Sequence, residues 1–252
     1  MNSPTVNSNS STPKPLIELH QVVKVYRGLA GAVTALNGID LQIFEGEFLV
    51  VTGKSGSGKT TLVNIITGLD RLTSGDIWVA GTALHRIGPE KAARLRGRTM
   101  GVVFQSFELL PTLSVLQNVM LPMDFAQRYS LREQRQRALY LLEQVDIAEH
   151  AKKLPTALSG GQQQRLAIAR AMANDPAILV ADEPTGSLDS ATAGAVIDIF
   201  EGLVQQGGTV LMVTHDKDLA KRGSRTITLL DGEIINTQSI PKVEKYPFPG
   251  IL

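Results

Sequence analysis

The eight residues Gly53-Lys54-Ser55-Gly56-Ser57-Gly58-Lys59-Thr60 constrain this chain more than any other stretch. They read glycine, four residues, Gly-Lys, then a hydroxyl residue, and they lie between an apolar run, Glu47 to Thr52, and a segment with helical spacing at Leu62, Ile65, Ile66 and Leu69. Strand, glycine loop and helix therefore follow one another, with Gly68 placed to stop the helix. Glycines let successive backbone N–H groups turn inward around phosphate oxygens, and the start of the helix adds partial positive charge. Lys59 supplies a full charge at the β- and γ-phosphates, and the Thr60 hydroxyl is placed to ligate magnesium, with Thr61 beside it. Residues 53–61 are thus expected to hold a nucleoside triphosphate.

The surrounding chain alternates in a way that suits such a loop. Ile17 to His20, Gln21 to Tyr26 and Ile39 to Phe44 read as strands on the exposed or half-buried pattern, and Glu45-Gly46 makes a turn. Asp76 to Val79 and Thr99 to Phe104 read as further strands, with Trp78 a half-buried sheet residue. From Phe107 to Pro155 the texture becomes helical; in Leu131 to Val145, Ala138, Leu141, Leu142 and Val145 share one face. Helix over Gly161–Met172, strand over Ala177–Ala181, helix over Ala191–Val204 and strand over Thr209–Val213 restore the alternation. A parallel-rich α/β sheet carrying a helical insert follows.

A glycine loop alone leaves kinases, GTPases and motors open, so the next acidic element matters more. In Ile178-Leu179-Val180-Ala181-Asp182-Glu183-Pro184 an apolar strand delivers Asp182 to the carboxyl end of the sheet, where its carboxylate can hold magnesium, and Glu183 can polarise an attacking water. At Leu158-Ser159-Gly160-Gly161-Gln162-Gln163-Gln164-Arg165 a serine and two glycines open a helix, which makes either a second anion site or an ordinary cap. If both phosphate-binding elements serve one nucleotide, the second must come from a neighbouring molecule.

With these residues assembled, the chain resembles the ATP-binding-cassette (ABC) ATPases from about Leu16 to Asn236, and LSGGQQQR matches their signature. The resemblance implies an α/β P-loop ATPase core with a mostly parallel sheet, an antiparallel β subdomain and a helical subdomain inserted at about 106–157. It also implies ATP and Mg2+ as ligands. Tyr26 matches the aromatic that stacks on adenine, Gln105 the glutamine that reaches magnesium and the attacking water, and His215 the histidine that contacts the γ-phosphate. Ser187-Leu188-Asp189 matches the interface loop, and Ser159, Gly160, Gly161 and Gln162 match the signature that grips a partner's ATP. The competing readings are a plain strand aromatic for Tyr26 and a hydrogen-bonded edge residue for His215, and for His215 the match in order and context favours function. Lys54 departs from the usual uncharged residue there, and Thr60 from the commoner serine, though a hydroxyl is kept. Nothing converges on His20, His85 or His150.

Phe107 to Val115 and Asp182 to Asp189 are similar to the lipoprotein-release and macrolide-export branch of that family. The resemblance implies a second ATPase subunit, most simply the same chain, and an integral membrane permease with a large extracytoplasmic domain. Phe107, Leu109, Leu110, Leu113 and Val115 are then expected to line the permease cleft, although the same pattern suits an internal core. A peripheral place on the cytoplasmic face of the inner membrane follows. The competing reading is a soluble regulatory or DNA-associated ATPase without a permease, a class marked by coiled-coil insertions or tandem cassettes, neither of which this sequence carries.

Composition narrows the rest. Lys plus Arg number 25 against 24 Asp plus Glu, so nothing suggests wrapping of nucleic acid. No cysteine is present, which removes disulfide staples and thiolate metal sites and fits a reducing compartment. Apolar runs fall far short of the roughly 20 residues of a membrane helix. Residues 1–15, rich in Ser, Asn, Thr and Pro, are expected to be a disordered lead, and 237–252 a surface tail.

Overall fold

The computed structural model describes residues 14–28 and 31–239. All but the last two residues of the expected lead, and the tail beyond 239, lie outside the described residues.

Two sheets form the frame. Strands β1 (Ile17–Gly28), β2 (Gly31–Ile43), β4 (Ser74–Val79) and β5 (Thr82–Ala83) make an antiparallel sheet in the order β2-β1-β4-β5. The second sheet has the order β10-β9-β3-β8-β7-β6, from β3 (Phe48–Thr52), β6 (Met100–Val103), β7 (Ile178–Asp182), β8 (Thr209–Thr214), β9 (Arg225–Leu230) and β10 (Glu233–Ser239). Its five strands from β9 to β6 are parallel, and only β10 runs against its neighbour. What reads in sequence as two short strands at 17–26 is one strand, broken in register around Gln21, which takes a left-handed φ of 46° and donates its N–H to Asp40.

The near-continuous apolar runs of the second sheet are explained by burial on both faces. Phe48, Val50, Leu179, Ala181, Val210 and Met212 point into one core, and the alternating Leu49, Val51, Ile178, Val180, Leu211 and Val213 point into the other. Helix α1 (Lys59–Thr67) and the antiparallel sheet close the second core. The first is closed by α3 (Val115–Ala126), α4 (Leu131–Gln144), α5 (Gly160–Ala171) and α6 (Ser190–Gln205). Two elements carry weak sequence signals: α2 (Pro89–Thr99), whose only buried residue is Ala92, and the short α7 (Lys217–Ala220).

Residues 106–157 hold α3 and α4, as expected of the insert. Their starts are written in the sequence: Ser114 with Gln117, and Ser130 with Glu133, form complete capping boxes in which the serine oxygen accepts the third N–H and the longer side chain accepts the cap's own. The apolar stretch before α3, expected either to line a permease cleft or to be internal core, divides between core and surface, with Leu113 partly buried. Val115 is fully buried, while Phe107 and Leu109 pack against the helical core, leaving Leu110 as the exposed member.

Candidate active site

The glycine loop joins β3 to α1. A Cβ on Gly53 would stand 2.4 Å from the Leu229 carbonyl and 2.5 Å from the Ser57 hydroxyl, and one on Gly58 would meet the Ala35 carbonyl at 2.4 Å. Packing against β9 and β2 therefore demands glycine here independently of any ligand. Gly58 also caps α1 in the left-handed region at φ 102°, without a side-chain cap, and no acidic residue lies in the first turn. The orphan N–H groups at this helix start are consequently left for an outside acceptor. Lys59 is buried, its ammonium donating to the Gly53 and Lys54 carbonyls at 3.0 and 2.9 Å. Ser57 Oγ is buried without a partner, and Lys54 is exposed.

Asp182 ends β7, which β8 separates from β3. Its Oδ1 is buried and unpartnered. Burial pushes the Asp182 carboxyl above its ordinary range; a hydrogen bond from Thr60 draws it back, the charge of Glu183 adds to the rise and that of Lys59 opposes it. Glu183 follows in the left-handed region at φ 48°, its N–H donated to the Val213 carbonyl at 2.9 Å. This turn aims its side chain at His215, just past β8: Glu183 Oε2 lies 2.9 Å from His215 Nδ1 and accepts the His215 N–H at 3.4 Å. Gln105 stands in an exposed turn after β6, its Nε2 3.5 Å from where a Cβ on Gly186 would be. Lys59, Thr60, Asp182, Glu183, Gln105 and His215 thus gather at the carboxyl ends of β3, β7, β6 and β8.

Tyr26 lies near the tip of the β1–β2 hairpin, opposite the exposed Val33. Its hydroxyl donates to Asp70 Oδ2 at 2.9 Å, and the Lys24 ammonium sits 4.7 Å from its ring centroid while donating to Asp70 Oδ1 and the Arg71 carbonyl, both at 2.7 Å. Burial opposes ionisation of Asp70, but these bonds from Lys24 and Tyr26, with the Arg71 N–H, hold its carboxyl below the usual range. Sequence reasoning misses Lys24 and Asp70 because they meet only through the fold.

Ser159 caps α5 with a third capping box: its oxygen accepts the Gln162 N–H at 3.3 Å, and Gln162 accepts the Ser159 N–H at 3.0 Å. Ser159 and Gly160 are exposed, and a Cβ on Gly161 would press on Thr192 of α6 at 2.5 Å. His150 is the one histidine that gains significance. Its Nε2 is 2.9 Å from Gln162 Nε2, whereas His20 and His85 meet Trp78 edge-on and pair with Glu18 and Asp76. No hydrogen bond among the described residues joins Ser159–Gln162 to residues 53–61.

The sequence pattern of the family described as ABC transporter matches residues 36–186, spanning the glycine loop, the signature and the Asp182–Glu183 strand. The chain belongs to the ABC transporter family. Within it, an ABC transporter ATP-binding protein of Thermotoga maritima is 43% identical over 88% of this chain and 94% of its own length. The macrolide export ATP-binding/permease protein MacB of Syntrophobacter fumaroxidans is 46% identical over 87% of this chain but only 31% of its own length. The chain therefore spans nearly all of the former relative and about a third of the latter. Among solved structures, a dimeric post-hydrolysis state of the ATP-binding cassette MJ0796 bound to ADP and Pi superposes with a TM-score of 0.84 at 40% identity, covering 88% of this chain and 98% of that one. The expected P-loop α/β ATPase fold is borne out, and the chain is an ATP-binding, ATP-hydrolysing subunit of an ABC transporter. No helix among the described residues is long and apolar enough to cross a membrane.

Proposed function

We propose that two copies of this ABC ATPase close head to tail on ATP, each nucleotide gripped by residues 53–61 of one copy and by Ser159, Gly160, Gly161 and Gln162 of the other. The observation that carries this reading is the pairing of opposites in one chain. The start of α1 has no cap and no acid, beside an unpartnered Ser57 hydroxyl, while the start of α5 is exposed and unconnected to it. That the cassette MJ0796 is dimeric with ADP and Pi bound supports dimerisation.

In this reading Lys59 exchanges the Gly53 and Lys54 carbonyls for the β- and γ-phosphates, and Tyr26 offers the ring face away from Lys24 to the adenine. The Ser159 oxygen accepts within its own capping box, so its proton is free to point at a phosphate together with the N–H groups of Gly160 and Gly161. Glu183 holds and deprotonates the attacking water, His215 steadies the Glu183 carboxylate and then contacts the γ-phosphate, and Gln105 orients that water. A magnesium ion fits the residues present: the orphaned Asp182 Oδ1 and the hydroxyl of Thr60 are hard oxygen donors, and Gln105 can supply a third. When bound it neutralises phosphate charge.

The dimer would drive an integral permease with a large extracytoplasmic domain from the cytoplasmic face of the inner membrane, in export or lipoprotein release. Support comes from the fused ATP-binding/permease relatives, MacB and the pyoverdine export protein PvdT of Pseudomonas aeruginosa. Glu183→Gln tests the core of the proposal. It should bind ATP, hydrolyse it at least about a hundredfold more slowly, and elute as a dimer by light scattering with saturating Mg-ATP; a monomer under those conditions overturns the shared site.

A further inference from the structure

The segment that carries Gln105 belongs to neither a strand nor a helix, yet its path is fixed. After β6 the chain turns at Gln105–Ser106, and Phe107 and Glu108 follow at φ 57° and 49°. Two consecutive bulky residues in the left-handed region are costly, and such a backbone persists only where its surroundings determine it. Phe107 packs against the helical core, the N–H groups of Phe107 and Glu108 donate to the Phe104 and Ser106 carbonyls, and the side chain that holds both residues' carbonyls is Arg170, in the last turn of α5. One arm of its guanidinium donates to the Phe107 carbonyl at 2.7 Å and the other to the Glu108 carbonyl. A planar fork matches two adjacent carbonyls in a way that a single ammonium does not.

The far end of the segment is held separately. The fully buried Asn118 of α3 accepts the Leu110 N–H at 2.9 Å, and its two Nδ2 hydrogens are shared among the carbonyls of Leu110, Leu113 and Ser114. Arg170 thus acts on the part next to Gln105, and Asn118 on the part next to α3. Helix α5 is itself seated hard on β6: a Cβ on Gly101 would lie 2.3 Å from the Ala171 carbonyl. Ser159 caps one end of this twelve-residue helix, about 18 Å from the other, and the other end holds the turn after Gln105.

We propose that Arg170 is a positioning residue for hydrolysis: by clamping Phe107 and Glu108 in the left-handed conformation it sets the place of Gln105, and it makes that place follow any movement of α5. The inference rests on the reading that Gln105 orients the attacking water. It does not require Arg170 to touch ATP, and it predicts a defect in turnover rather than in binding.

The experiment uses the whole chain and measures kcat, KM for ATP and equilibrium ATP affinity, with thermal unfolding as a control for folding. Gln105→Ala comes first. If it turns over like the unaltered protein, the role given to Gln105 fails and the inference falls with it. If it is slow, Arg170→Met should also lose on the order of tenfold to a hundredfold in kcat, as displaced catalytic groups do, with ATP affinity unchanged. Adding Glu108→Gly should then recover part of the loss, because glycine adopts the left-handed region without a clamp at one of the two positions. Adding Glu108→Ala, which removes the same carboxylate but keeps the conformational cost, should recover little. Arg170→Lys, which keeps the charge and most of the stem, is put through the same pair of backgrounds, and it carries the test if the methionine variant does not fold. Normal kcat in both Arg170 variants, or equal recovery with glycine and alanine, overturns the positioning role while leaving that of Gln105 standing.

Discussion

The starts of α1 and α5 are both helix N-termini proposed to face phosphate, and they are built in opposite ways. At α1 the cap is a left-handed glycine, no side chain caps the first N–H groups, and Lys59 lies folded over its own loop. At α5 a capping box closes on itself, as it does at α3 and α4. The first is incomplete without a ligand. The second is complete as an ordinary helix start and has only a hydroxyl proton and two glycine N–H groups to spare. In the proposed pair of copies this difference has a use, because the open end would bind ATP first and the closed end would act only once ATP is there.

The largest effect tests the open end. In Lys59→Ala the phosphates lose a charged donor, worth about 2 kcal/mol or some thirtyfold in Kd, and hydrolysis falls with it. Calorimetric titration showing unchanged ATP affinity would mean that the loop is not the phosphate site, and the contrast with α5 would lose its first half.

A pair of serines sharpens the other half. Ser114→Ala and Ser159→Ala remove the same cap from two helices that pack into one core, so each should cost about 1 kcal/mol of unfolding free energy, read as a similar fall in denaturant midpoint. Only Ser159→Ala should also weaken ATP-driven dimerisation and slow turnover. Equal activity in the two variants would reduce the signature serine to a plain cap.

The same contrast explains what the sequence makes legible. The glycine loop, the Asp182–Glu183 strand and the signature are contiguous, and each advertises its conformation through local chemistry: glycines where a Cβ would collide, an apolar strand ending in acids, a Ser-x-x-Gln box. Strands buried on both faces declare themselves by length and apolarity. Helix α2 escapes notice because Ala92 alone of its residues is buried, leaving almost no periodic signal. Strands β9 and β10 escape because β10 is mostly exposed and β9 offers only Ile227 and Leu229 as buried positions. What holds the site residues in place is the least legible part. Lys24 and Asp70 behind Tyr26, His150 beside Gln162 and Arg170 on the turn after Gln105 act through side-chain contacts between segments that no local pattern pairs.

Asp182 and Asp70 repeat the opposition of open and closed in two carboxylates, with smaller but opposite consequences for pH. Asp182 is buried with an orphaned oxygen and its pKa is raised, so the folded chain holds that proton more tightly than the unfolded chain, and stability falls as pH rises through the raised value. Asp70 is fully bonded to Lys24, Tyr26 and Arg71 and its pKa is lowered, so its contribution is present above the unfolded value of about 3.9 and is lost as pH falls through the folded one. Without nucleotide, Asp182→Asn should therefore melt higher than the unaltered protein at pH 8, with the gap closing as the pH is lowered towards the ordinary carboxylate range. Asp70→Asn should melt slightly lower at pH 8, with its gap closing only in stronger acid. Saturating Mg-ATP should reverse the order for Asp182, because the carboxylate that destabilises the free chain is the one proposed to hold the cation. Melting curves in which Asp182→Asn is the less stable protein even without nucleotide would show that its orphaned oxygen is satisfied within the fold rather than held open for a ligand.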